Sequence, residues 1–167
     1  MAQTDTFIIR AALDGEASIF RDIEIDASKS LYKLAEAIVS AFDFDFDHAF
    51  GFYSGAKQTA MRRHPRYELF ADMGGADPGV LGVKKTKIAQ AFPVVGHSLL
   101  FLFDYGDEWR FRVKLKAIGR TVAKTRYPRI VESHGVAPAQ YPDPDETSED
   151  AATYGINPVT GEKIKFG

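Results

Sequence analysis

Residues 98–118 read SLLFLFDYGDEWRFRVKLKAI, and this stretch decides the fold. Its first part, 98–105, is apolar on both faces, which is typical of a strand in the middle of a sheet. Its second part, 108–118, alternates polar and apolar residues over its whole length, which is typical of a strand with one buried face. Between them, two turn-forming aspartates flank Gly106, which is able to adopt a positive φ. The pattern predicts a β-hairpin.

The amino-terminal residues predict a second hairpin. Residues 7–13 (FIIRAAL) suit a strand, DG at 14–15 is a turn signal, and residues 18–26 (SIFRDIEID) resume the alternation. On the second strand, Arg21 is the odd member of a face that otherwise carries isoleucines. The opposite face is mostly acidic and carries Phe20, Asp22, Glu24 and Asp26.

The strand at 108–118 has a basic face. A period of two places its four cations on one side, about 6.6 Å apart, a spacing that resembles that of phosphates along a nucleic-acid strand. Between residues 110 and 129 there are eight Lys and Arg residues and no Asp or Glu. One hypothesis is binding of nucleic acid or an acidic protein segment, although aromatic residues, which single-strand binders interleave with cations, are absent from this face. The alternative is pairing with the acidic face of the first hairpin. The four cations are Arg110, Arg112, Lys114 and Lys116.

Residues 30–42 predict an amphipathic helix. Leucine, alanine, isoleucine and phenylalanine recur at helical spacing, and Ser28 or Ser30 is available to cap the first free amide groups. The order strand, strand, helix is that of a β-grasp-like start, in which the helix lies across the apolar face of the hairpin. We therefore expect a single α+β domain with a mixed β-sheet and a later β-hairpin.

The other elements are predicted to be shorter. HAFGFYS at 48–54 suits a strand with His48 on the same side as two phenylalanines, and 86–92 suits a short helix with Thr86 as its cap. Residues 54–80 form the least regular part and include a basic cluster at 62–66. From Tyr127 onward the chain is rich in proline. It continues into an acidic segment whose composition is compatible with a helix ending near Gly155, and then into a turn at 157–162.

The stretch FDFDFDH at 42–48 raises the question of a metal site. Aspartate and histidine are suitable ligands, but three or four must converge on the ion. In an extended chain the aspartates would share one face and His48 the other, so that the histidine would leave the carboxylates. The alternative is a helix end with its phenylalanines anchored in the core and its aspartates solvated. The spacing favours this alternative.

The turn DYGDEW at 104–109 offers a second acidic group. Paired carboxylates serve as general acid and base only where different environments separate their pKa values, and a hairpin tip is usually wet. An Asx turn made by Asp104 is the more economical interpretation. We expect Trp109 to pack under this turn, with its indole N–H finding a partner.

Composition narrows the classes of function. The 167 residues carry a net charge of −2 and no cysteine, which excludes disulfides, thiolate nucleophiles and cysteine-ligated zinc. No stretch approaches the roughly 20 apolar residues of a membrane span, so we expect a soluble, cytoplasmic protein. Histidines lie in unrelated contexts, and neither a nucleophile elbow nor a phosphate loop is present in the sequence. We therefore assign no catalytic residue, cofactor or metal ligand.

The chain resembles a known family in two places. LLFLFDYGDEWRFRVKLKAIG followed by YPRIVESHGVAPAQYP is similar to the signature of the plasmid pRiA4b ORF-3-like proteins, a family that includes a passenger protein of an insertion element. Upstream, FRDIEIDASKSLYKLAEAIVSAFDFDFDHAFGF is similar to the same family. The resemblance covers about residues 5–142 and implies an α+β domain with a mixed sheet, but no activity. We expect a domain at 1–142 and an acidic extension at 143–167.

Two departures from the family pattern bear on metal binding. Family members often carry a histidine two residues after the tryptophan, where this chain has Phe111. They also carry a Cys-Pro-Pro-Glu-Asp-like run where this chain reads VAPAQ at 136–140. The resemblance therefore implies that this chain does not bind a metal through those positions.

Two hypotheses of function follow. The preferred one is a non-enzymatic interaction domain that binds nucleic acid or an acidic protein segment through the basic strand and Trp109, with the acidic extension competing for that surface. The competing one is a metal-dependent, hydrolase-like enzyme that uses His48, Asp104 and Asp107, which requires the three side chains to converge within a few ångströms.

Overall fold

One sheet of eight strands organises the chain. A computed structural model describes residues 5–54, 65–141, 154–156 and 163–165. In chain order the elements are β1 (Asp5–Leu13), β2 (Glu16–Asp26), α1 (Leu31–Ala41), β3 (Phe50–Tyr53), β4 (Arg66–Glu68), α2 (Leu69–Asp72), β5 (Leu81–Gly82), α3 (Ile88–Ala91), β6 (Ser98–Phe103), β7 (Trp109–Arg120), β8 (Arg129–His134), β9 (Tyr154–Ile156) and β10 (Lys163–Lys165).

The strand order of the large sheet is β5-β4-β3-β6-β7-β1-β2-β8. The β4–β5 pair is parallel, and the other described pairs of this sheet are antiparallel, so the predicted mixed sheet of an α+β domain is confirmed. Both predicted hairpins are also confirmed, β1 with β2 and β6 with β7. The β1 strand lies between β7 and β2, so it joins the two hairpins into one surface.

The helix α1 lies on the apolar face of the first hairpin, as predicted. Ser30 is its N-cap, and the side chain of Ser30 accepts a hydrogen bond from the Lys33 amide at 3.3 Å. Five residues of its inner side are buried and belong to the core, because the apolar positions repeat at helical spacing. They are Leu31, Leu34, Ala35, Ile38 and Val39.

The core between α1 and the sheet is rich in aromatic rings. Phe111 of β7 lies at the centre, with its ring centroid 4.8 Å from that of Phe42 and 5.9 Å from that of Phe101. Phe42 and Phe44 are buried, whereas Asp43 and its two alternate aspartates are exposed. The interpretation of FDFDFDH as a helix end with anchored phenylalanines and solvated aspartates is therefore confirmed.

Two smaller predictions need correction. The short helix at 86–92 exists as α3, but its N-cap is Lys87, whose amide donates to the Gln90 side chain. Thr86 does not cap it, because its hydroxyl donates instead to the Gly82 carbonyl at 2.8 Å. The proline-rich segment after Tyr127, for which no strand was predicted, forms β8, which pairs with β2 at the edge of the sheet.

Several predicted features lie outside the described residues. They are the larger part of the basic cluster at 62–66, the acidic residues at 143–150 and the turn at 157–162. The helix end predicted near Gly155 is wrong, because residues 154–156 form β9, which pairs with β10. None of the described helices is both long and apolar enough to cross a membrane.

Candidate functional site

The four cations of β7 lie on the outer face of the sheet, opposite the core. They alternate with Trp109, Phe111, Val113 and Leu115, which are buried. Arg110 and Arg112 are half-buried, and Lys114 and Lys116 are exposed. The predicted direction of these cations is confirmed, and their role in binding stays a prediction.

The alternative role, pairing with the acidic face of β2, is confirmed for part of this surface. Asp22 accepts two hydrogen bonds from Arg10 of β1, from Nε at 2.8 Å and from Nη2 at 3.0 Å. Lys116 Nζ lies 3.7 Å from the same carboxylate. The hydrogen bond to Asp22 raises the pKa of Arg10 above its ordinary value. Asp22 of β2 therefore holds one cation of the neighbouring strand β1, Arg10, and one of the next strand β7, Lys116.

Other carboxylates neutralise the two ends of the basic surface. Arg129 of β8 donates to Glu24, with Nη2 at 2.7 Å from Oε1. Arg110 forms an ion pair with Glu108, its neighbour at the hairpin turn. The positive charge that remains for a partner is therefore centred on Lys114 of β7.

Lys114 is the centre of this remaining charge. It pairs across the sheet with Ser98 of β6 on one side and with Arg10 of β1 on the other. Two cations directly opposite each other on neighbouring strands destabilise a sheet. Among the described residues, no carboxylate is within ion-pair distance of Lys114. Asp22 already offsets the charge of Arg10, so an anion from outside the chain would act mainly on Lys114.

An aromatic pair lies beside the cations. The Phe20 ring of β2 stacks on the His134 ring of β8, with centroids 5.5 Å apart and planes 7° apart. The Arg10 guanidinium lies 3.7 Å from the Phe20 centroid. Phe20 faces Ala12, which in turn faces Arg112. The basic face of β7 carries no aromatic residue, as the sequence indicates, but β2 brings one onto the same face of the sheet two strands away.

The second candidate cluster is partly assembled. His48 Nδ1 lies 2.7 Å from Asp47 Oδ1, and His48 Nε2 lies 3.5 Å from Asp104 Oδ2. The negative charge of Asp107 also acts to raise the pKa of His48. The structure therefore brings His48 close to Asp104, two of the three residues that the competing hypothesis names.

The predicted separation of His48 from the aspartates is wrong. Asp43 has a φ of 58°, and residues 43–49 form a loop rather than a strand, so the alternation of faces does not apply. His48 consequently turns back onto Asp47 and does not share the side of Phe50 and Phe52, which are buried in the core.

Asp104 makes the Asx turn that the sequence predicts. Its Oδ1 accepts hydrogen bonds from the amides of Gly106 at 3.0 Å and Asp107 at 3.2 Å. Asp104 is buried, although a wet hairpin tip was expected. The positive φ values of the turn fall on Asp104 (66°) and Glu108 (55°) and not on Gly106. Since its carboxylate is occupied by backbone amides, Asp104 is first of all a structural residue of the turn.

Tyr141 and Gln140 close the cluster from the carboxy-terminal side. The Tyr141 hydroxyl donates to Asp47 Oδ2 at 3.0 Å, and Gln140 Oε1 accepts from the Asp45 amide at 2.7 Å. Partial desolvation acts to raise the pKa of Asp47, but hydrogen bonds from His48 and Tyr141 outweigh it and hold the pKa below its ordinary value. Desolvation and the bond to Asp47 raise the pKa of Tyr141 to about 12. These contacts fasten residues 140–141 to the loop after α1.

The pH dependence of this contact can be predicted. The hydrogen bond to Asp47 and the charges of nearby aspartates raise the pKa of His48 above its ordinary value. The stabilising contribution of His48 is therefore fully present below its unfolded pKa of about 6.5 and is lost as the pH rises through the higher folded value. In an NMR titration we expect the His48 ring signals to titrate above about pH 6.5.

The Asp47→Asn variant is the matched control for this titration. It keeps the shape of the side chain and removes the charge, so the His48 midpoint should move down towards its ordinary value. A wild-type midpoint at or below the ordinary value would contradict the ion pair. So would an unchanged midpoint in the variant.

Comparison with known proteins identifies the family. A family model described as plasmid pRiA4b ORF-3-like protein matches residues 6–142. The chain belongs to this family. A similar solved structure is a protein of unknown function, MM3350, from Methanosarcina mazei Go1, with a TM-score of 0.64, 21% identity, and coverage of 77% of this chain and 69% of that one. This likeness concerns the fold alone. A search of curated proteins found no match.

The two departures from the pRiA4b ORF-3-like pattern now have positions in the structure. Phe111 is fully buried in the aromatic core, where a histidine would face other rings. Gln140 anchors the loop after α1 through the backbone of Asp45. In the described part of the chain, no group of three His, Cys, Asp or Glu side chains is arranged to hold a metal ion.

Trp109, a candidate binding residue of this pRiA4b ORF-3-like chain, lies on the wrong face. Its ring packs into the core against Phe44, with centroids 4.7 Å apart. Its indole Nε1 is buried, and no described residue accepts a hydrogen bond from it, so the expected partner is not found. The alternation of side chains along β7 places Trp109 on the face opposite the cations. We therefore no longer count Trp109 among the residues of the binding surface.

Proposed function

We propose that this chain is a binding domain for single-stranded nucleic acid, which lies across the outer face of β7, β1 and β2. The proposal rests on one observation, the cross-strand row Arg112, Ala12, Phe20 and His134, in which a cation and a stacked ring pair occupy one open face. The family itself is described only by its plasmid origin and its unknown function.

The chemistry of the row fits the two parts of a nucleotide. Cations along β7 recur at twice the strand rise, about 6.6 Å, which matches an extended phosphate backbone. The Arg10 guanidinium already lies over the Phe20 ring, so a base on this face would stack beside that guanidinium or on the exposed His134 ring. Stacking on an aromatic side chain is worth about 1–3 kcal/mol per base. Ala12 is the small residue of the row and lies between Arg112 and Phe20.

The ring pair favours nucleic acid over an acidic protein segment. An acidic peptide would use the same cations, but its carboxylates gain nothing from a stacking platform. The acidic protein segment therefore becomes one outcome of the test.

The test is a fluorescence anisotropy titration of a labelled oligothymidine with wild-type protein and with Lys114→Ala. Lys114 is exposed and opposes Arg10, so its removal costs no packing. We expect weaker binding and a smaller salt dependence, with the slope of log K against log salt reduced by about 0.7. Phe20→Ala should weaken binding without changing that slope, because it removes stacking and no charge.

Lys85→Ala is the matched control, since Lys85 is an exposed lysine outside the sheet. It should bind like the wild-type protein. Equal binding by wild type, Lys114→Ala and Phe20→Ala would refute the proposal. Tighter binding of a polyglutamate peptide than of oligothymidine would assign the same face to an acidic protein. Removal of residues 143–167 should strengthen binding if the acidic extension competes for the face.

A second candidate function, a metal-dependent hydrolase, is favoured by the 3.5 Å contact between His48 Nε2 and Asp104 Oδ2. It requires one ion to reach both groups at bond lengths of about 2.0–2.3 Å. Titration with Mn²⁺ would then broaden the NMR signals of His48, Asp104 and Asp107 together. Broadening spread over scattered surface carboxylates would rule this function out.

A further inference from the structure

The strand β8 forms an exposed edge of the sheet. It pairs with β2, and it is the last strand in the order of the large sheet. All six of its residues are exposed, including Ile130 (49%) and Val131 (39%). An edge strand presents backbone N–H and C=O groups that are available to a further strand. The apolar exposure shows that this edge is suited to being covered.

A groove runs along the inner side of this edge. It has a volume of 490 Å³ and lies between β8 and α1. On the α1 side, Lys33, Ala37 and Ala41 follow one another at a spacing of four residues, so the helix presents a stripe with two small side chains. Ile23 and Ile130 supply apolar surface from the sheet. The groove can therefore receive apolar side chains of moderate size.

The charges of the groove select the sign of a partner. Lys29 and Lys33 line it on the helix side together with one acid, Glu36, which pairs with Lys33 at 3.5 Å. Among the described residues, no carboxylate forms an ion pair with Lys29. Arg129 also lines the groove, and its guanidinium forms an ion pair with Glu24. The excess of positive charge favours a partner with acidic residues.

We propose that β8 and this groove form a docking site for an extended peptide segment of a partner protein in which every second residue, on the side that faces the groove, is apolar or acidic. The segment adds to β8 as a further strand, and its backbone hydrogen bonds provide most of the attraction. Its alternate side chains enter the groove beside Ala37 and Ala41, which provides the selectivity. The groove lies on the inner side of the sheet, whereas the proposed nucleic-acid surface lies on the outer face. The strand β8 belongs to both, because His134 ends the outer row.

The experiment titrates the full chain into fluorescein-labelled peptides of about ten residues, longer than a typical strand. In the first (Val-Glu) peptide, valine and glutamate take turns at every second position, with serine between them. The second (Val-Lys) peptide has lysine in place of glutamate, and the third (Ser-Glu) peptide has serine in place of valine. We expect saturable binding of the Val-Glu peptide, and binding at least about tenfold weaker for the other two. On binding, hydrogen exchange at the β8 amides should slow, which a purely electrostatic contact would not cause.

Two variants test the location of the site. Ala37→Phe fills the groove from a half-buried helix position and should weaken binding of the Val-Glu peptide at least about tenfold. Lys29→Glu, at an exposed position, should weaken the Val-Glu peptide and strengthen the Val-Lys peptide. Lys114→Ala is the matched control, and it should leave peptide binding unchanged because it alters only the outer face.

Several results would overturn the proposal. Equal affinity of the Ser-Glu peptide would show that charge alone drives binding. Unchanged affinity in both groove variants would place the peptide elsewhere, and loss in Lys114→Ala alone would place it on β7. Protection of the β8 amides without peptide, in a dimer seen by sedimentation, would assign the edge to a second copy. If the β8 amides are protected in the monomer without peptide, and removal of residues 143–167 abolishes this protection, then the edge belongs to the chain's own extension.

Discussion

Truncation of Phe111 to alanine is expected to destabilise the fold by about 3–5 kcal/mol. Phe111 is fully buried, and its ring lies 4.8 Å from Phe42 and 6.3 Å from Phe44. It joins the end of α1 to the middle of the sheet, so the cavity left by its removal is enclosed on both sides. Urea denaturation followed by circular dichroism measures the loss as a lower midpoint with an unchanged slope.

Phe70→Ala is the matched control for this truncation. Phe70 lies on α2, is 36% exposed and contacts one ring, that of Tyr105. It should cost much less than Phe111→Ala, because little new cavity is enclosed. Similar losses in the two variants would contradict the central position of Phe111.

Phe111→His introduces the histidine that the resemblance to the family implies two residues after the tryptophan. In this chain the imidazole would be surrounded by Phe42, Phe44 and Phe101, none of which offers a hydrogen-bond partner. A buried polar group without a partner costs about 1–3 kcal/mol. Wild-type stability of this variant would show that a polar group or water reaches the position.

The sequence predicts the parts of the fold that depend on periodicity. The β6–β7 hairpin and α1 are examples, because a period of two and a helical spacing both follow directly from where apolar side chains must be buried. The Asx turn at Asp104 is another, since aspartate makes that turn from local geometry alone.

The neighbours of a strand are not encoded in its own pattern. Nothing in residues 108–118 indicates that β1 lies between β7 and β2, which brings Phe20 near Arg112 and lets Arg10 share Asp22 with Lys116. The same limitation hid β8, because an edge strand with all residues exposed has no buried face to mark it.

The prediction for residues 43–49 was wrong for a different reason. Its alternation of phenylalanine and aspartate is regular, yet the positive φ of Asp43 ends the helix with a turn, and period-two reasoning does not apply there. The position of His48 against Asp47 and Asp104 depends on the fold around it: Tyr141 and Gln140 reach the same loop from nearly one hundred residues further along the chain.

Arg21→Met is expected to destabilise the fold by about 2–4 kcal/mol. The sequence marked Arg21 as a cation on an apolar face, and the structure explains it. Arg21 is buried (8% exposed), and its Nη1 donates to the carbonyls of Phe20 at 2.8 Å and His134 at 2.9 Å. Its Nε donates to the carbonyl of Ala41, at the last residue of α1, at 3.3 Å. Methionine keeps the stem and removes every donor, and urea denaturation measures the change.

The location of the effect distinguishes this role from simple packing. Since Arg21 holds a carbonyl of β8, hydrogen exchange at the β8 amides should accelerate in Arg21→Met more than exchange at β6. Arg21→Lys keeps the charge but lacks the planar fork that spans three carbonyls, so it should recover only part of the stability. Lys33→Met, on the exposed side of α1, is the control and should cost little. If Arg21→Met is as stable as the wild type, the apolar face tolerates a hydrophobic residue there, and the arginine is not what ties α1 and β8 to the sheet.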